Sequence, residues 1–568
     1  MHDSPSPDTS TTGGPAQTAV RRGFTALVLG LGMIMPACAQ QSGVINGGRP
    51  SPPATTVTVP LDVPMGPHLA NALLGRVGYG PTRQDTERAA VMTVRRYIDE
   101  AIRGPNILPE SVTASIARLP ASAPALAAWE KWGPGGAERE AARNNTALRE
   151  SINQSEREYA RSAVAARLLA MANNRNQGHE ALLSFWLNHF SVFAPKTAVK
   201  LLALDYAHAL EAAMRDDNFE ALLRASFFHP AMQIYLDNAQ STAPTSDAAR
   251  AAALRGRAPG LNENLARELL ELHTLGVEGG YTQGDIQELA RIISGAGVWS
   301  PRMDERNLEQ AGAIRKGIFL FDPRRHDTGE KRLLGQTFPA GRGIDEIERA
   351  LQLLATHPAT ARHVSRKLAV RFVSDQPSPQ LIDEMAAAFQ RSGGRISLTM
   401  LTMIGSAEFA ESLVARAKFR EPLDQVLFNV RATCQREPVT HGQALLMAAL
   451  DAGQAPFMRS TPDGYGAREA DWLSPAAMAK RIRLARGIAT ERVPFASGPE
   501  PGIAPTPVDM SGQNPRPAPL QGRACIADQD AIMAAIGPLS RETAAATNTL
   551  YPRERIAALL ASPEAMTR

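Results

Sequence analysis

Several features that usually reveal a protein's chemistry are scarce in this chain. It has only 3 cysteines in 568 residues, and it contains no CxxC pair of the kind that binds zinc or carries redox chemistry. It also lacks a glycine-rich phosphate loop, an HExxH and a GxSxG, the signatures of P-loop NTPases, zinc peptidases and α/β-hydrolases. Charge is nearly balanced, with 61 basic and 57 acidic residues and a net charge of +4, so nothing points to nucleic acid as a partner.

Helix-forming residues, by contrast, are abundant. Hydrophobic residues make up 44% of the chain and aromatic residues only 5%, and alanine is frequent throughout. We predict a mainly α fold, with a large multi-helix body over residues 65–490. Two strand-like runs, Gly317–Phe321 and Arg332–Phe338, are joined through HDTGEK and predict a small β-hairpin on that body. Residues 491–528 are rich in proline and glycine and are expected to form a mobile insertion before a helical tail at 529–568.

The N-terminus has the features of an export signal. Arg21 and Arg22 resemble the paired arginines of the twin-arginine pattern, and an apolar run follows to about Ala37. Because that run falls short of the about 20 residues of a membrane span, we expect residues 1–39 to be a signal peptide. An uncleaved anchor is the alternative. Residues 40–64, rich in Ser, Pro, Gly and Thr, predict a disordered tether.

Two endings of the signal compete, and they give different locations. Ala37-Cys38-Ala39 fits a small-x-small cleavage site, which would release a periplasmic protein. A poor lipobox ending at Cys38 would instead lipidate that cysteine and hold the protein at the outer surface of the cytoplasmic membrane. Cys434 and Cys525 then remain as a disulfide candidate, closing a loop of roughly 90 residues, with two separate buried thiols as the alternative.

A helix, a glycine-rich turn and a second helix are predicted between Pro259 and Val298. Asn262 suits the N-cap of the first helix, and Gly276 follows its last periodic leucine. At about 100° per residue, a stripe of leucines covers one face, with Glu268 in its middle. A carboxylate in a core must be paired, liganded or protonated, because an isolated buried charge costs several kcal/mol. A structural pair between Glu268 and an arginine is the simpler interpretation.

Further polar residues lie on or near apolar faces. Glu271 lies on the edge of the leucine stripe, and His273 lies about 140° from Glu268 around the helix, so other segments must supply its partners. His189 shares a face with Leu182, Phe185, Trp186 and Phe193 and is predicted to be inside the core. A lone histidine in such a place is more often a hydrogen-bonded core residue than a ligand.

Three other features could contribute to a site. His326 and Asp327 lie at the tip of the predicted hairpin, where loops on a rigid scaffold often carry function. His357 precedes Pro358 at a helix N-terminus, where the helix dipole favours the neutral imidazole. The next helix has a basic side suited to an anion or to Glu268, formed by Arg362, Arg366, Lys367 and Arg371. The loop PFMRSTPDGYGAREADWLSP, at 456–475, could form the lip of a pocket.

These segments also carry a resemblance. NENLARELLELHTLGVEGGYTQGDIQELARIISG is similar to the signature segment of the bacterial family known as domain of unknown function 1800. LLGRVGYGPT, FWLNHFSVF, PAMQIYLDNAQS, HDTGEKRLLG and TPDGYGAREADWLSP match in order, so the resemblance runs from Leu73 to Ala489. Family members are expected to show a histidine where this chain has Ala72, so that role is absent or moved to His68. The resemblance also implies association with a twin-arginine-exported, sulfatase-like companion.

Two functions follow as hypotheses. The first is a hydrolase, either metal-free and acid–base or dependent on a divalent metal ion. Its catalytic residues would be Glu268, His189 and His326, and its metal ligands His189, Glu268, Glu271, His273 and His357. The second is a non-catalytic binding or assembly partner of a co-exported sulfatase-like protein, touching the membrane only through its signal or a lipid on Cys38. A solvent-reachable polar pocket would favour the first, and a closed core with an exposed apolar patch the second.

Overall fold

Helices make up most of the structure, which confirms the predicted mainly α class. The computed structural model describes residues 57–257, 260–497 and 520–568, and these belong to one compact unit. The predicted signal peptide, most of the predicted tether and most of the predicted proline-rich insertion lie outside the described residues.

The helices before the first strand form the N-terminal half of the body. They are α1 (Gly66–Arg76), α2 (Arg83–Ala90), α3 (Val94–Arg103), α4 (Glu110–Ala117), α5 (Ala125–Trp132), α6 (Ala137–Ala141), α7 (Thr146–Asn173), α8 (Gln177–His189), α9 (Ala203–Met214), α10 (Phe219–Phe227), α11 (Pro230–Tyr235), α12 (Asp247–Ala253), α13 (Asn264–Glu268) and α14 (Gln283–Ile293). A π-helical turn, Leu269–His273, directly follows α13.

The second set of helices completes the body and the tail. They are α15 (Glu305–Gln310), α16 (Ile344–Thr356), α17 (Pro358–Phe372), α18 (Pro379–Arg391), α19 (Ile396–Ile404), α20 (Ala407–Ala415), α21 (Pro422–Thr433), α22 (Gly442–Ala452), α23 (Pro475–Ala489), α24 (Gln529–Ile536), α25 (Arg541–Asn548), α26 (Pro552–Leu560) and α27 (Pro563–Met566). Many begin at a serine, threonine or asparagine cap or at a proline. His229 and His357 likewise cap α11 and α17, each followed by proline.

Five short strands form two separate antiparallel sheets. They are β1 (Ala296–Val298), β2 (Ile314–Lys316), β3 (Phe319–Phe321), β4 (Lys331–Leu333) and β5 (Gln336–Phe338). β3 lies between β1 and β2, and β4 pairs with β5.

The predicted pairing of residues 317–321 with 332–338 is therefore wrong. Leu334 and Gly335 both adopt positive φ, 48° and 78°, so the second run makes a two-residue turn and folds back on itself. The first run takes its partners from the residues before it, including β1, which directly follows α14.

Helix α21 lies at the centre of the body, and all of its residues are buried. Its arginine Arg431 pairs with Asp85, which is buried in the first turn of α2. The residue after α21, Cys434, forms a disulfide with Cys525, so the pair predicted as a candidate is bonded. The bond ties the segment before α24 to the central helix, and α26 packs on α23, so the tail is part of the body.

A helix that spans a membrane must be both long and apolar. No single helix in the described part of the chain is both long and apolar enough to cross a bilayer. Helices α19 and α20 together pass on length and composition, with a bend of 65° between them.

Candidate functional site

A cavity of about 300 Å³ lies between α8, α17 and the loop at 454–468, which follows α22. Helix α8 contributes Phe185 and Asn188, and α17 contributes Lys367 and Arg371. The loop belongs to the segment that the sequence predicts as the lip of a pocket, and the structure confirms that prediction. We call this space the loop cavity.

The loop is held against α8 by a pair of hydrogen bonds. The Asn188 Nδ2 donates to the Tyr465 carbonyl oxygen at 2.9 Å, and the Tyr465 amide donates to Asn188 Oδ1 at 2.7 Å. This close approach requires glycine at position 464, where φ is 75° and a Cβ atom would lie 2.4 Å from the Asn188 carbonyl oxygen. The turn residues of the loop therefore set the distance between the lip and α8.

The other end of the loop is bound to the turn between α17 and α18. Lys418, which is buried, donates to the Ala467 carbonyl oxygen at 2.8 Å and forms an ion pair with Asp375. Asp375 also accepts a hydrogen bond from the Glu469 amide at 2.7 Å. With both ends fixed, the loop forms a defined wall of the cavity.

A buried ion network forms the floor of the loop cavity. Arg371 donates from both terminal nitrogens to Asp424, at 2.8 and 3.0 Å, and also to Glu421 at 2.8 Å. Burial by itself would raise the pKa of Asp424, but Arg371 and Arg568 hold that pKa well below its usual value. Burial raises the pKa of Glu421 despite the opposing charge of Arg371, so within this internally paired floor it is Asp424 that is held ionised.

The charged side chains that line the cavity are unequal in sign. Six are basic: Arg167, Arg366, Lys367, Arg371, Arg459 and Arg468. Three are acidic: Glu421, Asp424 and Asp463. Every acid has an arginine partner, because Arg371 pairs with Glu421 and Asp424, and Arg459 pairs with Asp463. Arg167 pairs with Glu180.

Three lining cations remain without a carboxylate. Within the described residues, Arg366, Lys367 and Arg468 have no acidic side chain within salt-bridge distance. Lys367 is partly exposed, and burial lowers its pKa to about 8 despite the opposing charge of Asp463. The loop cavity therefore has three basic side chains without a carboxylate partner, which are free to meet a ligand.

Three neutral histidines lie close to Lys367. His189 Nε2 donates to the His273 carbonyl oxygen at 3.0 Å, and the ring of His189 lies 6.2 Å from the rings of both His273 and His363. Burial, and then the charge of Lys367, lowers the pKa of all three, to about 3 for His273 and about 4 for His363. They can accept protons but are uncharged at neutral pH.

The π-helical turn explains how these histidines meet. A π turn widens the helix and redirects its carbonyl groups. Here the Leu272 carbonyl oxygen accepts from His363 Nε2 at 3.1 Å, and the His273 carbonyl oxygen accepts from His189 Nε2. At the end of the turn Gly276 has φ 85°, and a Cβ there would lie 2.7 Å from His363 Nδ1. The continuous α-helix predicted from Asn262 to Leu275 is wrong at this point, although the Asn262 side chain does accept a hydrogen bond from the Asn264 amide.

Glu268 lies where α13 gives way to the π turn. Its side chain is half-buried, whereas the helical wheel predicts a position in the middle of the core face. The wheel assumes α geometry past residue 269, where the chain in fact forms a π turn. Within the described residues it has no hydrogen-bond or ion-pair partner. Burial, followed by the charges of Glu271 and Asp463, raises its pKa to about 7 against the opposing charge of Arg267.

Among known proteins, the chain is similar to one family profile. The profile of a family described as protein of unknown function, DUF1800, matches residues 72–567. The chain belongs to the DUF1800 family. The match extends through α24–α27, a tail that the sequence analysis left outside the family domain. No match was found among curated proteins or among solved structures.

Other residues predicted for the site lie elsewhere in this DUF1800 protein. His326 is buried and does not lie at the tip of a hairpin. Its Nδ1 donates to the Ser294 carbonyl oxygen at 2.8 Å, and its Nε2 lies 3.7 Å from Glu346 Oε2. Glu346 in turn pairs with the buried Lys331 at 2.6 Å. His326 therefore belongs to an ion network that fastens the loop before β4 to α16.

His357 and Arg362 also have local partners. His357 Nδ1 accepts from the Ala359 amide at 3.2 Å as the cap of α17, and burial lowers its pKa. Arg362 pairs with Asp383 of α18. Of the predicted residues on α17, the structure brings Arg366, Lys367 and Arg371 to the loop cavity.

The predicted metal ligands are not assembled in this structure. Across residues 57–257, 260–497 and 520–568, no group of three or more His, Cys, Asp or Glu side chains is arranged to hold a metal ion. Of the predicted ligands, the rings of His189 and His273 lie 6.2 Å apart. Glu271 lies 3.4 Å from Arg267. Glu268 and His357 do not contact the two histidine rings. We therefore derive no chemistry through a metal here.

His363 is the residue near this site that the sequence reasoning missed, and Lys367 was named only as one member of the basic side of its helix. His363 and Lys367 are four residues apart on α17 and so share one face. That spacing could have drawn attention to them, but a basic stripe is usually solvated, and only the tertiary structure shows that this part of the stripe lines a cavity.

Proposed function

We propose that this DUF1800 protein binds an anionic small molecule in the loop cavity, with Lys367 as the main contact. The observation that supports this is the excess of positive charge on Arg366, Lys367 and Arg468. A partly desolvated cation without a counter-charge is costly, and an anionic ligand would supply that charge.

The size and lining of the cavity support a small ligand rather than a macromolecule. Its volume of about 300 Å³ is at the lower end of the range for small-molecule sites, about 300–1,000 Å³. Phe185, Val370 and Phe457 also line it and offer an apolar surface beside the cations. The ligand class that fits is an organic anion with an apolar portion.

Isothermal titration calorimetry with short carboxylates, phosphate and sulfate tests the proposal. We expect at least one of them to bind, and Lys367→Met to weaken that binding at least about tenfold, because a charge-assisted contact is lost. Lys316→Met is the matched control, since Lys316 is exposed on β2 and lies outside the loop cavity. No binding by any anion, or equal loss in both variants, would overturn the proposal.

A second candidate is acid–base catalysis by Glu268, with hydrolysis as the reaction class suggested by the sequence. It is favoured by the unpartnered carboxyl of Glu268, whose pKa of about 7 suits proton transfer near neutral pH. None of the four histidines predicted for the site contacts it through a hydrogen bond or an ion pair. Screening esters of the anion that binds, with Glu268→Gln and the control Glu278→Gln, tests this candidate. Turnover unaffected by Glu268→Gln would exclude it.

We also propose that the protein is exported by the twin-arginine route to the periplasm, with lipidation at Cys38 as the alternative ending. The support is the Arg21-Arg22 pair and the apolar run after it. These residues lie outside the described part of the chain.

A further inference from the structure

We propose that Lys367 is a nucleophilic amine that forms an imine with the carbonyl carbon of an anionic aldehyde or 2-oxo acid in the loop cavity. The proposal rests on the proposed function, because the same cations must first hold the anionic group of that ligand. It goes further by naming a reactive atom, Lys367 Nζ, and the chemical class that it attacks.

Lys367 differs from most other lysines of the chain in its surroundings. Five others have a carboxylate within salt-bridge distance, and these are Lys131, Lys196, Lys200, Lys331 and Lys418. An ion pair stabilises the ammonium form, which has no lone pair for attack. Lys367 has no such partner among the described residues, and it lines a cavity that also contains the cation Arg366.

The cationic neighbours of Lys367 can hold the anionic group of the ligand. Arg366 and Arg468 provide charges that can hold the carboxylate of a 2-oxo acid while its carbonyl carbon faces the amine. Burial lowers the pKa of Lys367 to about 8, against the opposing charge of Asp463. A useful fraction of the amine is then neutral in mildly alkaline solution.

Three neutral histidines lie close to Lys367 but do not line the loop cavity. His363 lies one turn before Lys367 on α17, and His189 and His273 lie behind it. The charge of Lys367 acts on all three rings, which places them within its electrostatic range. Their pKa values, about 3 for His273 and about 4 for His363, lie far below that of Lys367, so the rings stay neutral and water at the partly exposed amine carries the proton that the amine loses.

The step is balanced without a further reagent. Lys367 Nζ forms a bond to the carbonyl carbon, and the carbonyl oxygen gains a proton to give a carbinolamine. That hydroxyl then leaves as water as the carbon–nitrogen double bond forms. One amine and one carbonyl give one imine and one water, with no change in oxidation state.

Reductive trapping tests the proposal on the full chain. The protein is incubated with glyoxylate and cyanoborohydride, and modified peptides are located by mass spectrometry. We expect one carboxymethyl group per chain, at Lys367, with a labelling rate that rises with pH through about 8. Labelling spread over exposed lysines such as Lys316, or no labelling, would overturn the imine.

Two variants separate this proposal from the proposed function. Lys367→Arg keeps the positive charge but cannot form an imine, so it should retain glyoxylate binding by calorimetry and lose the label. Lys316→Arg should keep both. If wild-type protein binds glyoxylate through Lys367 but is not labelled, only the imine fails. If it binds no anion at all, the proposed function fails as well.

Discussion

The Nε2 of His189 lies 3.0 Å from the carbonyl oxygen of His273, and this hydrogen bond joins α8 to the π turn that follows α13. Both residues are almost fully buried, with His189 1% exposed and His273 0% exposed. The carbonyl is free to accept because a π turn does not satisfy it within the helix. A polar contact in the core thus maintains the backbone geometry next to Lys367 and Glu268.

Replacing His189 by phenylalanine should lower the free energy of unfolding while the space of the side chain stays filled. His189→Phe fills a similar volume but leaves the His273 carbonyl buried without a partner, at a cost of about 1–3 kcal/mol. Urea unfolding followed by circular dichroism measures the difference. His68→Phe, at an exposed histidine, is the control and should change the stability little. Equal stability of wild type and His189→Phe would show that the hydrogen bond contributes nothing.

The close approach of Gly276 to His363 gives a paired test. Gly276→Ala adds both the strain of φ 85° and a contact at 2.7 Å to His363 Nδ1. Gly280→Ala has the same kind of strain, at φ 82°, but no atom within 4 Å of the new Cβ. We expect Gly280→Ala to cost about 1 kcal/mol and Gly276→Ala distinctly more. Similar losses in thermal unfolding for the two variants would remove the argument for close packing.

The pH dependence of stability should report on Glu268. Its pKa is raised from an ordinary 4.5 to about 7 in the folded state, so the folded state binds its proton more tightly than the unfolded state. Stability from this group is present below about pH 4.5 and is lost as the pH rises through about 7. Glu268→Gln should therefore gain stability relative to wild type between those values. Glu278→Gln, at an exposed side chain nearby, controls for the loss of a charge, and a constant difference for Glu268→Gln would contradict the shift.

Reducing the Cys434–Cys525 disulfide should destabilise the body substantially. The two cysteines are 91 residues apart, and closing a loop of that length is worth roughly 4 kcal/mol in the chain-entropy account. The measurement is urea unfolding of wild type and of Cys434→Ser/Cys525→Ser, each with and without dithiothreitol. Only the wild type should respond to the reductant. A wild type that unfolds identically in both conditions would show that the bond does not stabilise the protein.

The proposed export by the twin-arginine route depends on residues outside the described part of the chain. Replacing Arg21 and Arg22 with lysine should leave the precursor in the cytoplasm, because the twin-arginine translocase recognises the arginine pair. Cell fractionation and immunoblotting detect the change. Delivery that continues unchanged would indicate the general secretion route. Cys38→Ala then distinguishes the two endings, since only a lipoprotein would lose its membrane association.

Several features of this protein follow from local sequence alone. The helical class follows from composition, and the caps at His229 and His357 follow from the prolines after them. The burial of His189 follows from helical periodicity, because its neighbours on one face are large and apolar. The turn residues of the 454–468 loop were sufficient to predict the lip of a pocket. Each of these depends on interactions within a few residues, which a sequence displays directly.

The site itself required the tertiary structure. The π turn at Leu269–His273 could not be predicted from periodicity, because its carbonyls are satisfied by His189 and His363, both distant in sequence. His326 was expected at the tip of a hairpin, and it is instead buried where Ser294 and Glu346 contact it. Lys367 belongs to an ordinary basic stripe in sequence. Its lack of a carboxylate partner is a property of the space around it, and that space forms only when α8, α17 and the loop pack together.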